Sequence, residues 1–210
     1  MSSRAITLRF ASSEEVEISK KEAFRYMGIK AETLPDEMEE LFGVCVSEFK
    51  KAVSYKACLA ETEIRFFGNG RLDLGFGEIE SFHLEKNLQG CKRAVIFAAT
   101  TSIAVDRLIN RFSKLQPSKS LMIDAVASAA VEDWCDIINS EISQKGETKP
   151  RFSCGYGDFS LSHQKDILEL LDAQRKIGIT LSESLMMLPV KSVTAIVGIK
   201  EEEKDDKKKA

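Results

Sequence analysis

The sequence predicts a single-domain α+β fold, an antiparallel or mixed β-sheet with flanking helices. Two observations lead there. Helical and strand patterns follow one another in mixed order, without the regular βα alternation that builds a doubly wound parallel sheet. The stretch "ETEIRFFGNGRLDLGF" reads as a hairpin, because apolar runs flank Gly68, Asn69 and Gly70, which tolerate positive φ. With 210 residues, 43% of them hydrophobic and 30% charged, the chain can bury one sizeable core and keep a charged surface.

The elements follow in order. "AITLRF" and "EVEI" alternate apolar and polar residues and are expected as strands. "SKKEAFRYMG" fits a short helix capped by Ser19 and ended at Gly28. In "LPDEMEELFGVCVSEFKKAVS", Met38, Leu41, Phe42, Cys45, Val46, Phe49 and Val53 recur at helical spacing. Asp36 is the expected N-cap there, and acids at the start with lysines at the end suit the helix dipole. After the hairpin, "SFHLEKNLQG" is a short helix stopped by Gly90, and "CKRAVIFAAT" is continuously apolar, as in a buried central strand. "SIAVDRLINRFSKLQ" and "PSKSLMIDAVASAAVEDWCDIINSEISQKG" follow as helices, the second the longest. "SHQKDILELLDAQRKIGI" is one helix, capped by Ser160 or Ser162 and ended by Gly178. Pro189 divides "ITLSESLMMLPVKSVTAIVGIK" into two strands. In the second, Gly198 removes a side chain where another group needs to approach the backbone. Residues 201–210, "EEEKDDKKKA", are charge-dense and lack apolar anchors; they read as a disordered tail on a domain spanning 1–200.

Composition excludes several classes. A net charge of -3 offers no cationic field for nucleic acid or an anionic membrane. No apolar run approaches a membrane span and no signal-peptide core is present, so a cytoplasmic protein is expected. The five cysteines are odd in number and form no C-x-x-C pair, which argues against a disulfide framework or a zinc site. With only two histidines, a His-rich metal site is not expected. The phosphate-loop, dinucleotide, nucleophile-elbow and H-E-x-x-H patterns are all missing.

One stretch stands out, "RFSCGYGDFSLSHQ", residues 151–164. Arg151 offers a permanent planar fork that fits a carboxylate. Gly155 and Gly157 permit a turn whose backbone can approach a ligand. Tyr156 adds a flat apolar face with a polar tip. Together these suit a small zwitterionic ligand; they fit a surface turn with a solvated arginine equally well. Glu132, taken alone, reads as a solvated helical acid.

The residues from 151 to 199 resemble the S-adenosylmethionine-binding core of the activation domain of cobalamin-dependent methionine synthase. The pattern is R-x-x-x-G-Y, a helix, G-[IVM]-x-L-[ST]-E-S, then M-x-P and S-V. It is met by Arg151, Gly155 and Tyr156, by Gly178-Ile179-Thr180-Leu181-Ser182-Glu183-Ser184, by Met187-Leu188-Pro189, and by Ser192-Val193. Upstream, "VIFAATTSIAVDRLINR" and "LMIDAVASAAVEDWCDIINSEI" resemble the preceding strand and helices of free-standing versions of that domain.

The resemblance implies that the chain binds S-adenosylmethionine and supports reductive methylation of cob(II)alamin on a separate corrinoid protein. Arg151 would hold the ligand's carboxylate. Ser153, Cys154, Gly155 and Tyr156 would shape the pocket, with the Tyr156 hydroxyl near the reacting methyl in a catalytic role. Val197 and Gly198 fall where the family contacts the ligand from its last strand, although the large enzyme carries aromatics there. Ser128 falls where the large enzyme has an acid, and Glu132, one turn on, is the substitute. The implied partners are a corrinoid-binding methionine synthase subunit acting in trans and an electron donor such as flavodoxin. No D-x-H-x-x-G cobalamin motif occurs in the chain, so cobalamin would come only with the partner. The same residues also suit a non-catalytic S-adenosylmethionine-binding module, or a reactivator of another corrinoid methyltransferase.

Overall fold

The computed structural model describes residues 5–29 and 35–200. The expected tail at 201–210 lies outside the described residues. Within them, no helix is long and apolar enough to cross a membrane.

The centre is a four-stranded antiparallel sheet in the order β1-β2-β6-β9. Its strands are β1 (Ile6–Ala11), β2 (Tyr55–Glu63), β6 (Cys91–Thr100) and β9 (Ser192–Lys200). The sheet is covered on both faces, so the inner strands carry apolar or small residues on both sides. One face packs against α1 (Lys20–Tyr26), α2 (Asp36–Ala52), α4 (Ile103–Phe112) and α5 (Pro117–Ser143), around buried Trp134, Phe49, Tyr55 and Phe97. The other face meets α3 (Phe82–Leu88), α6 (His163–Leu170) and α7 (Ala173–Ile177), around Leu84, Leu88, Ile96, Phe159 and Ile196. A small sheet of β3 (Arg65–Gly68), β4 (Arg71–Asp73) and β5 (Glu78–Glu80) shares that second core through Leu72 and Ile79. A two-stranded ribbon, β7 (Thr180–Leu181) with β8 (Met187–Leu188), precedes β9.

The α+β fold, the hairpin, the central β6 and the long α5 stand as expected, and several local readings do not. The segment before Pro189 is two short paired strands, β7 and β8, not one, and Ser162 stands before α6 without a side-chain cap bond. "EVEI" is not a strand: Glu15 turns back to accept the Ser12 amide at 2.8 Å, and Val16 is buried in the first core with Ile18 packed against it. Asp36 is the first residue of α2, not its cap; Pro35 holds that position without a side-chain bond. β2 is an additional strand. The helix expected over residues 162–178 breaks into α6 and α7 at Asp172, which adopts φ 49°. The break lets Leu171 and Ala173, both fully buried, enter the same core.

Candidate functional site

The site grows from the free edge of β9. Residues 147–152 run antiparallel to that edge. The Lys149 amide donates to Gly198 O at 2.9 Å, and Phe152 exchanges amide and carbonyl with Ile196 at 2.9 and 2.8 Å. Arg151 is therefore delivered by a segment stitched to the sheet. Beyond Phe152 the chain folds into a tight loop, with Gly155 at φ 89° and Gly157 at φ 57°. The Gly155 amide donates to Phe159 O at 2.8 Å and the Tyr156 amide to Ser153 O at 3.2 Å. Phe159 is the buried anchor of this loop, with its ring stacked on His163 at 5.4 Å. Half-buried His163 is thus a packing residue.

Arg151 reaches across to α5. Its Nη1 donates to Asp136 at 2.7 Å and its Nη2 to Glu132 at 3.1 Å. The two acids are one helical turn apart, so a single guanidinium fork spans both. Glu132 is therefore paired, not merely solvated.

Around this pair lies a cleft of about 660 Å³, within the ordinary range for small-molecule sites. Its walls are Glu132 from α5, Asn87 from α3, Gln164 from α6, Met187 from β8, and the segment carrying Arg151, Phe152, Ser153, Cys154 and Tyr156. The start of β9 closes it with Ser192, Val193 and Thr194. Tyr156 stands at the mouth, 64% exposed, with its ring 6.3 Å from that of Phe152. Beyond Tyr156 lies a second, shallower groove of about 570 Å³, with His83, Lys86 and Lys149 on its walls.

Arg151, Ser153, Cys154, Tyr156 and Glu132 thus come together, and Gly155 shapes the turn beneath them. Val197 and Gly198 do not join them, which corrects the expectation. Val197 is fully buried in the core beneath α5. The Gly198 carbonyl is taken by Lys149, and a Cβ on Gly198 would sit 2.8 Å from Leu88 Cδ2 and Cys91 Sγ. A side chain at 198 would therefore enter the crowded core. The strand contributes from its first residues instead, Ser192 to Thr194. Ser192 and Val193 belong to the S-V motif, the one sign in the sequence that pointed to them.

A strap before β9 holds that start in place. The Val190 amide donates to buried Asp106 at 2.8 Å, and the Ser192 hydroxyl donates to Pro189 O at 2.7 Å. Burial pushes the Asp106 carboxyl above its ordinary value. Lys191 bonds Asp124 and the Ser128 hydroxyl, each at 2.9 Å. Beside Ser128, which itself brings no acid, the fold supplies this lysine–aspartate pair. Asn87 and Gln164 carried no signal in the sequence: each arrives from a helix whose docking is tertiary.

All five cysteines are free and buried. Burial pushes the Cys154 thiol up to about 12, although this residue lines the cleft. Cys58 is pushed to about 12 and Cys45 to about 11 by the same cause. The native protein is therefore expected to react slowly with a colorimetric thiol reagent at neutral pH, and to give its full titre only on unfolding. A thiol that reacts within seconds in the folded protein would contradict this placement. Among the described residues, no group of three or more His, Cys, Asp or Glu side chains is arranged to hold a metal.

The family described as vitamin B12 dependent methionine synthase, activation domain, matches residues 84–205, more than half of the chain. Every residue named above as lining the cleft, from Asn87 to Thr194, falls inside that match. Among solved structures, the crystal structure of the MetH reactivation domain bound to AdoHcy is similar over 94% of this chain and 79% of that one, with a TM-score of 0.74 and 15% sequence identity. At that identity the likeness shows the shared fold. No curated protein matches the chain.

Proposed function

Because this chain belongs to the family of vitamin B12-dependent methionine synthase activation domains, we propose that its Arg151 cleft binds S-adenosylmethionine and that it supports reactivation of a corrinoid carried by a partner protein. The observation that carries the reading is the convergence of Arg151, Glu132 and Tyr156 on one cleft within the matched segment. The AdoHcy held by the structurally similar domain is the demethylated form of the same ligand.

The donor set fits. The Arg151 fork receives the ligand's carboxylate in a charge-assisted pair. The ligand's ammonium gives Glu132 a new partner, so Glu132 exchanges one cation for another, while the more exposed Asp136 is left to water. The faces of Phe152 and Tyr156 lie where a sulfonium gains from ring quadrupoles. Adenine contacts fall to Met187 and Ser192–Thr194, not to Val197 and Gly198.

Cobalamin supplies the methyl-accepting metal when the partner presents it. The proposed partners are a corrinoid-binding methionine synthase subunit and an electron donor such as flavodoxin, in a cytoplasmic setting. Tyr156, Leu161 and Met186 are among the exposed apolar side chains of this chain, and we assign them to the docked partner. This chain's task is positioning: holding the sulfonium at the mouth turns a rare encounter into an oriented one.

Calorimetric titration with S-adenosylmethionine tests the binding reading directly; no heat of binding, alone or with the corrinoid partner present, overturns it. Tyr156→Phe is expected to slow methylation of the corrinoid roughly tenfold, about 1.4 kcal/mol of barrier. Its affinity for S-adenosylmethionine should stay within about twofold of the parent. Single-turnover changes in corrinoid absorbance measure the first and titration the second; equal losses in both contradict a role at the reacting methyl. One observation favours a second reading, a module that binds without turnover: β9 offers no aromatic for the adenine. Binding with no corrinoid methylation selects it.

A further inference from the structure

Asp158 lies two residues beyond Tyr156, outside the cleft. It accepts the Ser81 hydroxyl, the Phe82 amide at 2.9 Å and the His83 amide at 3.2 Å, all at the start of α3. Ser81 in turn accepts the Leu84 amide at 3.0 Å and so caps the same helix. The other end of α3 carries Asn87, which lines the cleft and donates to Pro150 O at 3.3 Å. Helix α3 therefore grips the chain on both sides of Arg151–Tyr156, through Pro150 before it and Asp158 after it.

Gly157 shows how close the grip is. A Cβ there would stand 2.2 Å from His83 Nδ1, and φ is +57°. Only a glycine lets the loop lie this close to α3. The Ser81 hydroxyl first, then the His83 and Phe82 amides, hold the Asp158 carboxyl below its ordinary value. Tyr156 itself is exposed, and its backbone bonds reach only Ser153 and Phe159 within its own loop.

We propose that Asp158 is a positioning residue for this site: by tying the Tyr156 loop to the start of α3 it sets where Tyr156 stands over the cleft. Its effect on ligand affinity rests on the proposed S-adenosylmethionine reading; its effect on the loop does not. Asp158 touches no ligand and takes no part in the chemistry.

The test uses the whole chain labelled with 3-fluorotyrosine. There are three tyrosines, hence three fluorine resonances, with Tyr156 assigned by its loss in Tyr156→Phe. Tyr55 is buried in the opposite core and Tyr26 lies on α1, so both report on the fold away from the loop. In Asp158→Ala, the Tyr156 resonance is expected to narrow and move toward the position of the free amino acid while the other two stay. S-adenosylmethionine affinity should fall about fivefold, the cost of ordering a released loop on binding. Asp158→Asn, which keeps an acceptor but loses the charge, should lie between the parent and Asp158→Ala in both readouts. An unmoved Tyr156 resonance in Asp158→Ala overturns the proposal. If Asp158→Ala moves all three resonances, Asp158→Asn decides: movement of Tyr156 alone supports the clamp, and movement of all three or none overturns it. A displaced Tyr156 in a protein that never bound S-adenosylmethionine keeps the clamp and removes the ligand reading instead.

Discussion

Arg151→Ala is expected to weaken S-adenosylmethionine binding by about 2–4 kcal/mol, roughly 30- to 1,000-fold. The size follows from what the substitution leaves behind. Arg151 is only 23% exposed and bonds Glu132 and Asp136 together. Without it, an incoming carboxylate loses its cation and meets the unpaired Glu132 on the cleft wall. Asp136 is 71% exposed, and water screens it. Arg151→Lys keeps the charge but not the planar fork that spans two oxygens, so it should recover only part of the loss. Stability should change little, because ion pairs this accessible contribute about 0–1 kcal/mol. Titration and thermal unfolding, run on the same samples, keep the two effects apart. Unchanged affinity in Arg151→Ala would make the residue a strut between the sheet edge and α5, and the ligand would have to be sought elsewhere.

The parts of this arrangement that were legible in the sequence are those written in local chemistry. Gly68-Asn69-Gly70 demanded positive φ, and the hairpin has φ of 80°, 57° and 79° there. Ser19 caps its helix because a hydroxyl in that place satisfies an amide that would otherwise lack a partner. Arg151, the two glycines and Tyr156 were conspicuous by type alone. What escaped depends on two-sided burial or on docking. β2 is packed on both faces, and its small Ala57, Cys58 and Ala60 leave no alternation to read. Asp172 breaks a helical pattern with no glycine or proline to announce it. Which end of β9 meets the cleft depends on how residues 147–152 lie along its edge, and no residue of β9 encodes that. Glycine at 198 has two physical causes, a ligand or a crowded core, and only the packing around it separates them.

Gly198→Val puts that separation to the test. Gly198 pairs with Ala94 across β6 and β9, beneath the last residue of α3. Its absent side chain leaves room for Leu88 and Cys91, at 0% and 3% exposure. A Cβ at 2.8 Å from Leu88 Cδ2 and Cys91 Sγ is closer than packed carbon and sulfur tolerate, and valine adds two methyl groups beyond it. Such overpacking typically costs about 1–3 kcal/mol, and the two-sided crowding here places Gly198→Val at the upper end of that range. Denaturant unfolding should register it as a lower midpoint with an unchanged slope. A glycine kept for a ligand behaves differently: its substitution blocks binding and leaves the midpoint alone. Leu88→Ala sharpens the contrast. On its own it opens a cavity and destabilises. Combined with Gly198→Val it clears the space that valine needs, so the double variant should be more stable than the sum of the two losses predicts. Strictly additive losses would mean that Leu88 is not what Gly198 makes room for, and the case for a core glycine would then rest on Cys91 alone.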